Sequence, residues 1–104
     1  MLNNKQYFAL VPQPNGTLRK ICPNRIWKSS YQGIEMFVYQ HQISDYRVIE
    51  KSTGLPIAVS KLSKNDALAR SKYNIDSKGV EQTLKEITDL GKAIEQMTIY
   101  EEIE

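Results

Sequence analysis

The stretch YRVIEKSTGLPIAVSKLSKNDALARSKY, residues 46–73, decides the fold. Tyr46 to Lys51 alternates, with Tyr46, Val48 and Glu50 on one face, which is the period of a strand. Ser52-Thr53-Gly54 reads as a tight turn. Leu55 to Ser60 returns as the partner strand, and Pro56, having no N–H to give a ladder, places it near a sheet edge. Ser63-Lys64-Asn65-Asp66 has the form of a capping box, in which the Ser63 hydroxyl accepts from the third helical amide while Asp66 reaches back. A helix is expected to follow through about Tyr73 and to break over residues 74–79. The unit is a hairpin leading into a capped helix, ββα.

Upstream, Ile34 to Tyr39 is the clearest central strand. Ile34, Met36 and Val38 face one side and Glu35, Phe37 and Tyr39 the other. The second set is mostly aromatic, so that face is either covered or a binding surface. Tyr7 to Val11 is β-rich and ends at Pro12, Pro14-Asn15-Gly16 is a turn, and Thr17 to Ile21 pairs back. Arg25 to Lys28 is short and ambiguous, and Tyr31-Gln32-Gly33 reads as another turn.

Downstream, a last helix is expected over Val80–Met97. Val80, Leu84, Ile87, Leu90, Ile94 and Met97 recur every three or four residues and form one apolar stripe. Ile99 and Tyr100 either continue this helix or pair as a terminal strand, and the acidic residues of 98–104 are expected to fray. Strands first and helices last describe an α+β fold. The expectation is a small antiparallel sheet of N-terminal strands packed by two C-terminal helices, in a single domain over residues 1–104.

The composition, 40% hydrophobic and 25% charged, is that of a folded chain and not a disordered one. MLNNKQYFAL lacks the apolar run of a signal peptide, and no apolar stretch reaches the length of a membrane span. Cys22 is the only cysteine, which excludes an intramolecular disulfide and fits a reducing cytoplasm.

The net charge of +2 hides a strong asymmetry. Residues 1–73 carry eleven basic side chains against four acidic ones, a net of +7, whereas residues 74–104 carry three against eight, a net of −5. A basic body with an acidic C-terminal segment suits an anionic partner or self-complementary association.

Catalytic chemistry has little to draw on. One Cys and one His point to a Cys22–His41–Asp45 arrangement for nucleophilic catalysis. Cys22 before Pro23 reads better as a small hydrophobe ending a strand, and His41 as an exposed strand-end residue. The expectation is therefore no catalytic residues, no metal ligands and no cofactor. The run Arg19-Lys20-Ile21-Cys22-Pro23-Asn24-Arg25-Ile26-Trp27-Lys28 is more telling, with four cations, no acid and the only tryptophan, and Tyr31 follows. Cations with aromatic anchors are a usual composition of protein-binding hot spots, and also suit phosphates and stacked bases. The candidate binding residues are Arg19, Lys20, Arg25, Trp27, Lys28 and Tyr31. The competing reading is that Trp27 fills the core and the cations are a solvated rim.

Residues 47–58 with 63–67 resemble a ββα pattern common in small accessory proteins of bacteriophages and mobile elements. The resemblance covers about a quarter of the chain and carries no functional residues across. It implies a regulator or inhibitor that acts by binding, without a cofactor. The sequence reading is thus a small non-enzymatic binding or regulatory protein, cytoplasmic, preferring a protein partner. The alternative is a protein that binds single-stranded RNA or DNA with the same segment. A homodimer is a further reading of the C-terminal helix, with Ile87, Leu90, Gly91, Ile94 and Met97 as the seam.

Overall fold

The computed structural model describes residues 7–94 and 99–101, the last three and residues 93 and 94 as backbone. The fold is α+β, as the order of elements implies. Six strands come first: β1 (Ala9–Pro12), β2 (Leu18–Ile21), β3 (Trp27–Tyr31), β4 (Ile34–Gln42), β5 (Asp45–Glu50) and β6 (Pro56–Ser60). Helices α1 (Lys64–Lys78) and α2 (Val80–Ile94) follow, and β7 (Ile99–Glu101) ends the described chain.

The strands form two sheets where the sequence suggested one. The larger is an antiparallel meander in the order β3-β4-β5-β6. Its first turn, Gln32-Gly33, has positive φ at both residues, which matches the twist of a two-residue hairpin. The smaller has the order β1-β2-β7, with β1 and β2 antiparallel and β7 parallel to β2.

This second sheet resolves the two-faced character of β4. Ile34, Met36 and Val38 join Val48 and Ala58 beneath α1, where Ala67 and Ile75 complete one core. Phe37, Tyr39 and Ile49 point the other way, against Tyr7 and Ala9 of the N-terminal hairpin segment. Phe37 is wholly buried and meets the Tyr7 ring edge to face, centroids 5.6 Å apart. Both faces of the meander are covered.

The turn between β5 and β6 is held by a carboxylate. Glu50 is buried and accepts from the Ser52 and Thr53 amides at 3.0 and 3.1 Å. The Ser52 and Thr53 hydroxyls donate to it as well, at 2.8 and 2.7 Å. A buried charge is tolerable only with such partners. Gly54 then accepts the Leu10 amide at 2.9 Å and lies under the Phe8 ring, so the hairpin seats on this turn.

The cap of α1 is half of a capping box. The Ser63 hydroxyl accepts the Asp66 amide at 3.0 Å, as expected. The Asp66 carboxylate turns to Ser60 Oγ at 2.6 Å and Arg70 Nε at 2.7 Å. Those two donors hold its pKa below the ordinary carboxylate range. The helix also runs past Tyr73 to Lys78. Asn74 donates its side-chain amide to the Ile57 carbonyl at 3.1 Å and Ile75 is buried against the sheet, so tertiary contacts carry the helix to its Gly79 cap.

The stripe on α2 is only partly used. Thr83 and Ile87 are buried, while Leu84 and Leu90 stay 44% and 46% exposed. The main packing of α2 is on α1 and not on the sheet, because Gly79 reverses the chain right after α1. Of the residues read as a dimer seam, Ile87 is buried, Leu90 is exposed and Gly91 is half-buried. The Ile94 side chain and Met97 lie outside the described residues.

Candidate basic-aromatic cleft

Residues 22–26 carry the chain from the smaller sheet to the larger, and this crossing opens a cleft of about 340 Å³. Its walls come from Arg19 and Ile21 of β2, Arg25 and Trp27 around the start of β3, and Tyr39, Gln40 and His41 at the end of β4. Two guanidinium groups and an imidazole line it, and among the residues with described side chains no carboxylate does. Such a concavity favours anionic groups through its local field.

Trp27 forms the rim. It pairs in register with Val38 and packs half-buried on the helix-side core. Two cations stand over its ring, with Arg25 Cζ at 5.2 Å and Lys64 Nζ, from the start of α1, at 5.0 Å. Trp27 is therefore at once an edge of the core and part of a charged surface, which joins the two readings of this residue.

At the inner wall, Tyr39 Oη lies 3.1 Å from His41 Nδ1, and the two rings meet edge to face. Burial raises the Tyr39 pKa, and the Arg47 charge beside it partly offsets the rise. Asp45 gives both carboxylate oxygens to Arg47, each at 3.1 Å. Cys22 is half-buried in the crossing. Among the described residues no cluster of His, Cys, Asp and Glu has the arrangement of a metal site.

The structure brings three of the six candidate residues together: Arg19, Arg25 and Trp27 share the cleft. The other three stand apart. Lys28 points to the opposite face of β3, 5.1 Å over the Tyr7 ring, because neighbouring strand residues alternate. Lys20 lies 4.7 Å over Phe8. Tyr31 fastens β3 to α1, donating its hydroxyl to Asp76 at 2.8 Å under Lys72, and that carboxylate raises its pKa.

Tyr39, His41 and Lys64 belong to the site and were not among the candidates. The alternation that put Phe37 and Tyr39 on one face, extended by two residues, also places His41 there. Lys64 reaches Trp27 only through the docking of α1, which no local pattern encodes.

No described helix is long and apolar enough to cross a membrane. Compared with known proteins, the chain matches no family model, no curated protein and no solved structure.

Proposed function

We propose that this chain is a non-enzymatic binding protein that takes an acidic surface of another protein on the cleft around Arg19, Arg25, Trp27 and His41. The observation that supports the proposal is the cleft's composition: two guanidinium groups and an imidazole on its walls beside an aromatic rim. Cations already spread over a ring are pre-organised, so a partner carboxylate gains a charge-assisted contact with little further ordering.

On this reading a nucleic-acid partner comes second. Cations stand over Trp27, Tyr7, Phe8 and Tyr31. A nucleobase stacking on the cation-covered face of one of these rings has to displace that cation, whereas an acidic side chain does not. A regulatory role in a bacteriophage or mobile element is the biological setting this reading suits.

The test is affinity capture with the full chain and with Arg19→Glu/Arg25→Glu, each with and without nuclease. A protein retained by the native chain, resistant to nuclease and lost on charge reversal is the expected result. Capture that is indifferent to the substitutions refutes the surface. Capture that disappears with nuclease gives the surface to nucleic acid.

A further inference from the structure

The smaller sheet already holds an added strand. β7 lies parallel to β2, with Leu18 opposite Ile99, Arg19 opposite Tyr100 and Lys20 opposite Glu101. The β2 edge is thus shaped to accept an extended segment, and the segment it accepts has a distinct chemistry. The paired stretch is Ile99-Tyr100-Glu101, and in sequence it leads into Glu102-Ile103-Glu104, so β-favouring residues stand together with three carboxylates. The strand that receives it contributes Arg19 and Lys20, and Arg19 also lines the cleft.

β2 has only four residues, so the ladder it offers is at the short end for a strand. A parallel pair is also slightly weaker per residue than an antiparallel one. Tethering therefore does much of the work of holding β7 in place, at an effective concentration on the order of millimolar. A free segment of the same chemistry has access once that competition is removed.

We propose that the β2 edge is a strand-addition site for an acidic, extended segment of a partner protein, and that β7 is the resident strand such a segment displaces. This deepens the reading above and rests on it. Main-chain hydrogen bonds supply the attachment and the carboxylates supply the selection, the division found wherever a peptide extends a sheet edge. A second copy is the less suitable occupant, because it brings a body of +7 charge over residues 1–73 against the same basic edge.

The test uses the full chain and a fluorescein-labelled peptide of residues 98–104 as the probe, read by anisotropy. Ile99→Pro/Tyr100→Pro removes two adjacent strand donors, so a ladder bond is lost whichever of the two faces β2. A second variant, Glu101→Lys/Glu102→Lys/Glu104→Lys, keeps every backbone donor and disables only the charge, which covers a proline variant that fails to fold. The expected result is apparent affinity at least tenfold tighter in either variant than in the native chain, and no binding of a peptide with its glutamates replaced by lysine.

Equal affinity in native and variant chains overturns the proposal, as does the absence of peptide binding to a folded variant. A native dimer that the proline variant converts to monomer also overturns it, since the occupant is then a second copy. Peptide binding with capture indifferent to Arg19→Glu/Arg25→Glu sinks the functional reading alone. The reverse pattern sinks strand addition alone.

Discussion

The seat of the N-terminal hairpin on the β5–β6 turn makes a quantitative prediction, tested by Gly54→Ala. Gly54 has φ +77°, and a Cβ there falls 2.5 Å from Phe8 Cε2, 2.7 Å from Cδ2 and 3.1 Å from the Phe8 carbonyl oxygen. The left-handed conformation alone costs about 1–2 kcal/mol for an L-residue. The collision adds to it: the ring has to leave its place beneath Lys20, and the carbonyl is backbone that cannot swing aside. Overpacking of this kind costs about 1–3 kcal/mol. The sum is about 2–5 kcal/mol, a large share of the stability of a domain this size.

Gly16→Ala is the matched control, with φ +83° and nothing within 4 Å of the added Cβ. It should lose only the conformational part, about 1–2 kcal/mol. Urea unfolding of both variants, with midpoints compared at an unchanged slope, isolates the contact. Equal losses in the two variants would refute the seating of the hairpin on this turn, and with it the placement of Arg19 and Ile21 in the cleft wall.

Phe37→Ala, at the wholly buried contact between the two sheets, should cost about 3–5 kcal/mol in the same assay. Ser63→Ala removes the acceptor of the Asp66 amide and should cost about 1 kcal/mol, with helical ellipticity reduced near the transition. Asp66, Glu86 and Asp89 all have pKa values lowered by hydrogen-bond donors. Their contribution is complete above the unfolded carboxylate pKa of about 4 and is lost as pH falls through the lower folded values. The melting temperature should therefore drop with acidification below about pH 4, and less so in Asp66→Asn, as differential scanning calorimetry can show. Tyr39 works in the other direction: its raised pKa stabilises the fold below about pH 10, and that contribution fades as pH climbs toward the folded value.

The ββα unit was legible because its signals are local. The Ser52-Thr53-Gly54 turn, the Ser63 cap and the alternation of β4 act within a few residues. The end of α1 was not, since Asn74 and Ile75 are weak helix formers held by Ile57 and the sheet core. The partner of the Phe37–Tyr39 face was not legible either. A hairpin about thirty residues upstream covers it, and that pairing is a long-range packing choice. At the cleft, the basic-aromatic run marked Arg19, Arg25 and Trp27. Treating β3 as a strand would also have separated Lys28 from Trp27, because adjacent positions alternate. His41 follows from extending the β4 alternation by two residues, whereas Lys64 enters only once α1 docks.

The most direct measurement is the emission of Trp27, the only tryptophan, in the full chain titrated with mixed-sequence single-stranded RNA and DNA at low and high salt. With Arg25 and Lys64 over its ring, and with the partner a protein as proposed, the emission should stay essentially unchanged at both salt concentrations. Saturable quenching that weakens log-linearly with salt would contradict the account and make the cleft a nucleic-acid site.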